Sequence, residues 1–424
     1  MTGTRESLTA MIGSFAGTSA VFRRILQTIF PLFLNLPQRA TFKQMAIWSD
    51  RNEGTIHNWF KRELNMVDFH RSLIDRYGSG RYCVLFDPSY LPKSGKQTPG
   101  LGRYWSGQAG AVKKGLELGA FAVGDVDNHT AFHLSASLTP SPAALKIQGK
   151  TLMSHYVSLV AERKADILHF GGFLAADGYF GVGTFVNPVL KMGIEVISCL
   201  KSNSCLHYAP LPDEGPKKRG RPRVKGNRII WSSPDERLLP VVACDEEKRV
   251  RSGRVWVKSL KRIVLLVSVE YLKDDGGLQC HKLYFCTDVK QDWAHILELY
   301  GLRFQIEFLF RDAKQFTGLT HCQSTDRTKL ENHVNFALGS VSVAKMAHWL
   351  PLEKENRGPF SMAELKRYYH TLNLLEKFSV ALSLNPTETK NNPKIKAILY
   401  STSYVEIAAY FFMNHCRKVA KIIL

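Results

Sequence analysis

Apolar positions recur every three to four residues over 14–36, 41–49 and 55–64, the spacing of helices with one buried face. Gly54 and Thr55 supply a break and an N-cap for the third helix. The segments Thr41-Phe-Lys-Gln-Met-Ala-Ile-Trp48 and Thr55-Ile-His-Asn-Trp-Phe-Lys-Arg62 flank a polar turn. They fit a helix-turn-helix whose second helix enters DNA, and they fit an ordinary helical hairpin equally well. From residue 81 the period changes, and Tyr82-Cys-Val-Leu-Phe-Asp87 reads as a buried strand, followed by strands over 117–126 and 130–138. A helix over 148–163, a strand ending Phe173-Leu-Ala-Ala-Asp177, a Gly-rich helix start and the strand Ile194-Glu-Val-Ile-Ser-Cys199 come next.

Three consecutive strands followed by alternating helix and strand suggest an α/β core of the ribonuclease H-like plan. Between about 205 and 286 the chain is turn-rich and β-like, with strands at Val255-Trp-Val-Lys258, Arg262–Val269 and Lys282–Cys286, and it reads as a β insertion. Helices are expected over 330–349, 361–381 and 404–422, with a polar linker from Asn385 to Pro393. The expected division is a helical DNA-binding domain at 1–75, the α/β core at 76–205 and 287–350, the insertion at 206–286, and a helical C-terminal region at 351–424.

Polar residues inside this apolar pattern carry the candidate chemistry. Tyr300, Arg303, Glu307 and Lys314 sit in an oily stretch with Leu302, Ile306, Phe308, Leu309 and Phe310. On one continuous helix at 100° per residue they fall within roughly 60° of arc. Burying a phenol, a guanidinium, a carboxylate and an ammonium without partners is costly, and phosphate chemistry would supply partners. Asp87 and Asp177 each end an apolar strand, where ligands gather in open α/β sheets. Either aspartate alone could be a turn former, and Glu307 alone could pair with Arg303 or Arg311. Together, the three carboxylates suffice for divalent cations that activate a water or 3′-hydroxyl and stabilise a leaving oxygen.

Composition points the same way. The 424 residues, 45% hydrophobic with 24 Phe, can bury a large core, and a formal charge of +20 favours a polyanionic partner, nucleic acid first. No apolar run approaches the ~20 residues that span a bilayer, and the polar start Met1-Thr-Gly-Thr-Arg-Glu lacks a secretory pattern, so a soluble intracellular protein is expected. Eight dispersed cysteines suit reduced thiols better than a disulfide framework, and without a repeated Cys-x-x-Cys pair structural zinc is not expected.

At these residues the chain resembles the DDE transposases of bacterial insertion sequences, specifically the insertion-sequence-four group with its Tyr-x2-Arg-x3-Glu-x6-Lys signature, present as Tyr300, Arg303, Glu307 and Lys314. Phe86-Asp87-Pro-Ser-Tyr90 and Ala175-Ala-Asp177-Gly-Tyr-Phe180 resemble the family's two aspartate blocks, and the resemblance spans roughly 80–350. It implies a ribonuclease H-like core interrupted by a β-rich insertion, with Asp87, Asp177 and Glu307 holding two Mg²⁺ ions, for which Mn²⁺ could substitute. Tyr300, Arg303 and Lys314 would grip phosphates, with Arg311 beside them on DNA. The implied partners are transposon terminal inverted repeats, target DNA and further copies of the chain in a synaptic dimer or larger assembly, in the bacterial cytoplasm at the nucleoid. Cut-and-paste transfer through hairpin ends is the implied route. A stand-alone metal-dependent nuclease and a domesticated, non-catalytic DNA-binding protein are the alternatives. Phe304 departs from the Trp that many relatives carry after the arginine, which bears on local packing.

Two further stretches bear on DNA. Lys217-Lys218-Arg219-Gly-Arg221-Pro-Arg223-Val-Lys-Gly-Asn-Arg228 puts seven cations in twelve residues and resembles an AT-hook core, whose arginines enter a narrow minor groove. A solvated basic loop is the plainer reading. Trp256 and Trp231 could stack on a flipped base or simply pack in a sheet, with Trp256 the candidate for DNA. Lys93, Lys96 and Arg103 follow the first aspartate in a Gly-rich loop that could meet the backbone.

Overall fold

The computed structural model describes residues 4–13, 15, 19–37, 39–210, 223–273 and 277–401. Contacts divide the chain into a helical unit, formed by 1–77, 95–99 and 308–424, and a β-rich unit, formed by 78–94 and 100–307.

The β-rich unit contains β1 (Tyr82–Pro92), β2 (Gly102–Ser106), β3 (Ala111–Asp125), β4 (Thr130–Leu138), β5 (Phe173–Ala176), β6 (Glu195–Leu200), β7 (Leu206–Tyr208), β8 (Val241–Cys244), β9 (Lys248–Val257), β10 (Arg262–Leu272) and β11 (Leu278–Cys286). They form one mixed sheet in the order β2-β3-β1-β5-β6-β11-β10-β9-β7, with β4 on β3 and β8 on β9. Strands β1, β5 and β6 are mutually parallel. Val84, Leu85, Phe86, Leu174, Ala175, Ala176, Val196 and Ile197 on them are fully buried, as expected for parallel strands covered on both faces.

The stretch expected as an insertion extends this same sheet. β11 pairs antiparallel with β6, from Leu283 opposite Leu200 to Cys286 opposite Ile197, and β10 and β9 follow. The pairing covers an edge of β6 that would otherwise expose unpaired backbone groups. Over the core, Phe86 packs 4.8 Å from Phe121, 5.2 Å from Phe180 and 5.6 Å from Tyr156.

The helical unit is a bundle in which Phe30, from the helix Ala20–Asn35, meets Phe69 at 5.4 Å and Phe336, from the helix Arg327–His348, at 5.1 Å. Asn332 Nδ2 donates to the carbonyls of Phe60 and Arg62, satisfying groups that the end of the helix Glu53–Phe60 leaves open. That helix is capped by Asn52, whose Oδ1 accepts from Thr55 N at 2.7 Å, so Gly54 and Thr55 lie inside its first turn and are not its break and cap. Asn is the stronger cap, and the shift places Glu53 at the positive helix end. The linker expected from Asn385 to Pro393 contains a short helix, Pro386–Asn391. Asn385 caps it and proline opens it, two start signals hidden in a polar string. The helix expected over 404–422 and residues 217–222 of the basic stretch lie outside the described residues. Among the described residues no helix is long and apolar enough to cross a membrane.

Candidate active site

The register of two neighbouring strands sets the candidate site. Phe86 on β1 lies opposite Ala176 on the parallel β5, so Asp87 and Asp177 each follow a paired residue. β5 ends there, but β1 runs on to Pro92 with Asp87 opposite Ala120 on β3, so Asp87 lies inside its strand and not at the strand end that its apolar run suggested. β5 stops because Asp177 turns the chain, its Oδ1 accepting from Tyr179 N at 2.9 Å at the start of the 3-10 turn Gly178–Phe180. Ser198 Oγ, on β6, donates to the Asp177 carbonyl at 2.7 Å. The turn lies flat on β6: a Cβ at Gly178 would meet Cys199 Sγ at 2.9 Å, and one at Gly181 would meet the Cys199 carbonyl at 2.6 Å. Two glycines thus hold the Asp177 turn flat against β6.

Glu307 comes from the helix Phe304–Gln315. Tyr300 belongs to a different helix, Trp293–Gly301, so the four signature residues do not share one continuous helix. The break is a tight turn at Leu302 and Arg303, where Arg303 N bonds the Tyr300 carbonyl and Gln305 N the Leu302 carbonyl, three residues back instead of four. Gly301 and the burial of Leu302 favour it, and neither alters the apolar spacing that suggested one helix.

Arg303 is the hub of the cluster. Its Nη1 stands 2.7 Å from Glu307 Oε1, and its guanidinium lies 4.3 Å from the Phe304 ring centre. It is only 7% exposed, and its Nε is buried without a hydrogen-bond partner. Burial opposes its charge, yet the Tyr300, Glu307 and Asp87 side chains outweigh that and hold its pKa above the usual value. Burial pushes the Asp177 carboxyl up, as does the Glu307 charge, against the pull of Tyr179 N–H, Arg303 and Phe180 N–H. The two aspartates, Glu307 and Arg303 therefore form one electrostatic group.

Tyr300 is buried, its hydroxyl donating to Cys199 Sγ at 3.2 Å and its ring 4.9 Å from Tyr284. Phe304 is 49% exposed, which is more than a packing residue needs. Arg311 and Lys314 continue the Glu307 helix within the helical unit, where Arg311 pairs with Asp312 at 3.1 Å and Lys314 lies over the Phe310 ring. Trp256, on β9, is half-buried with Lys225 Nζ 5.2 Å over its ring and His207 edge-on at 5.7 Å. Arg223 is exposed, and Lys217, Lys218, Arg219 and Arg221 lie outside the described residues. Ser198 and Cys199, which shape the site from β6, gave no signal in the sequence beyond strand membership.

Among the described residues no three His, Cys, Asp or Glu side chains already stand arranged to hold a divalent cation. Asp87 and Asp177 follow paired residues of neighbouring strands and are hard oxygen donors, whereas Glu307 is engaged by Arg303, so a cation would compete with the guanidinium for the third carboxylate.

Residues 148–341, somewhat under half of the chain, match the family model described as Transposase DDE domain. The matched stretch includes Asp177, Tyr300, Arg303, Glu307 and Lys314 and begins after Asp87. No curated protein matches the chain.

Proposed function

We infer that the protein is a DDE transposase, a reading supported by the match to a transposase DDE domain and by a mixed α/β sheet consistent with a ribonuclease H-like fold. We propose that the protein is a transposase of the insertion-sequence-four group that binds terminal inverted repeats as a dimer or larger assembly, cuts them and joins the freed ends to target DNA. The convergence of Asp87, Asp177, Glu307 and Arg303 carries the reading. In this scheme Asp87, Asp177 and Glu307 hold Mg²⁺, which when bound activates the attacking oxygen and stabilises the leaving one. Arg303 offsets charge on the phosphate in the in-line displacement, and Lys314, Arg311 and Tyr300 act on the DNA. Processing through hairpin ends, with Trp256 stacking on an unpaired base, belongs to the same proposal.

The test is a strand-transfer assay with labelled end DNA and a target plasmid. Joined products are expected for the native chain. Cutting without joining would leave a stand-alone nuclease, and binding without cutting a non-catalytic DNA-binding protein.

A further inference from the structure

Away from the carboxylates, the β9–β10 hairpin packs on the helix Gly183–Lys191, and between them lies a cavity of about 550 Å³. Asn187, Leu190, Lys191, Leu260, Lys261 and Arg262 line it, three cations and no carboxylate. Arg262 Nη1 is buried and meets no hydrogen-bond partner. Asn187 Nδ2 donates to the Leu260 carbonyl at 3.1 Å, which fixes the hairpin turn on the helix and sets the two sources of charge facing one cavity.

The turn itself is costly. Lys261 has φ 53°, in the left-handed region that glycine or asparagine occupies more cheaply, and its N–H bonds the Val257 carbonyl at 2.8 Å. A lysine kept in that position lines the cavity at the expense of backbone strain. Lys191 stands in the last turn of its helix, where a cation also complements the carbonyl ends, so by itself it would signify little. Lys261 and Arg262 come from a separate element and have no such reason to be there. Three uncompensated cations, one with a buried unmet donor, call for an anion with several acceptor oxygens, and a phosphate is that anion.

The register separates this place from the carboxylates. Ala175 lies opposite Ile197, Ile197 opposite Cys286 and Cys286 opposite Leu265, so Leu265 is level with Ala175. β10 runs in the same direction as β5, and Arg262 precedes Leu265. It therefore stands toward the opposite end of the sheet from Asp177, three strands across, a separation on the order of 20 Å.

We infer that the Lys191, Lys261 and Arg262 pocket is a second DNA contact, holding a backbone phosphate of a stretch of duplex other than the one being cut. This rests on the reading of DNA as the partner. Its role is anchoring, so it acts on affinity and not on the cleavage step.

The experiment compares the native chain with Lys261→Gly, which relieves the turn, and with the Lys191→Gln/Lys261→Gly double variant. Binding to a short duplex of arbitrary sequence is followed by fluorescence anisotropy across a salt series, with thermal unfolding as the fold control. The double variant is expected to bind about tenfold more weakly, with a salt slope shallower by about one, the signature of a lost phosphate contact, and Lys261→Gly alone to show part of both changes. Its single-turnover cleavage at saturating DNA should be unchanged. Native duplex binding with unchanged affinity and slope in both variants overturns the pocket alone, and so does a pocket that takes up inorganic phosphate while the variants bind DNA normally. A slower cleavage step at saturation overturns the anchoring role. A native chain that binds no duplex at all overturns both this inference and the reading beneath it.

Discussion

Arg303 and Glu307 form a 2.7 Å ion pair four residues apart, and the arginine end is buried while the glutamate end is half-exposed. The pair is worth about 1 kcal/mol or less to stability, because one partner remains in water. Its importance is chemical: the same guanidinium faces Asp87 and Asp177. Arg303→Gln should therefore act in two opposed ways. Cleavage should slow by about 100-fold through loss of charge on the phosphate. The Mg²⁺ concentration giving half-maximal rate should fall, because Glu307 is released and a repelling charge is gone. A metal titration of single-turnover cleavage reads both, and an unchanged Mg²⁺ requirement would show that arginine and cation do not share Glu307.

Asp87→Asn, Asp177→Asn and Glu307→Gln should each lower cleavage on the order of 10³-fold, the effect of deleting one group that stabilises transition-state charge. Binding of end DNA should persist in all three. Cleavage by any of them at the native rate removes that residue from the site.

Phe86 precedes Asp87 and is fully buried against Phe121, Phe180 and Tyr156. Phe86→Ala should cost about 3–5 kcal/mol through lost burial and the cavity left behind. Phe86→Leu should cost less, yet still slow cleavage more than it weakens DNA binding, because it loosens the packing under the stretch of β1 that carries Asp87. Chemical denaturation and the two activity assays, run in parallel, test this.

His348, buried in the helical unit against Tyr369, has its pKa pulled down to about 4 by burial. A folded-state value below that of the unfolded chain means that the unfolded chain takes up the proton first as pH falls. Stability is thus fully present above about pH 6.5 and is lost between there and about pH 4, by roughly 3 kcal/mol at about 1.4 kcal/mol per unit. His348→Leu should flatten that part of the stability profile, measured by urea unfolding at stepped pH. A profile as steep as the native one would assign the acid sensitivity elsewhere.

The strands around the site were legible because their apolar runs are continuous: Tyr82–Phe86 and Phe173–Ala176 lie on parallel strands buried on both faces, a pattern that leaves no helical alternative at that length. Other features were hidden because they depend on partners distant in the chain. The turn at Leu302 and Arg303 arises where the Tyr300 side chain is drawn to Cys199, a contact across 101 positions. The stretch after 205 reads as strands in isolation, and only pairing with β6 makes them part of the central sheet.

By itself, the chain singled out the candidate residues, since a charged side chain amid apolar neighbours is costly wherever the backbone runs. It also determined most strand and helix positions, because burial periodicity is a local property. The tertiary structure alone decided that the residues before Asp87 and Asp177 lie opposite each other on adjacent parallel strands, and that Lys191 meets Lys261 and Arg262 around one cavity. Those relations rest on register and on close packing between distant segments, and the physical reason they escape the sequence is that slipping a strand by one residue reverses its faces while leaving its composition untouched.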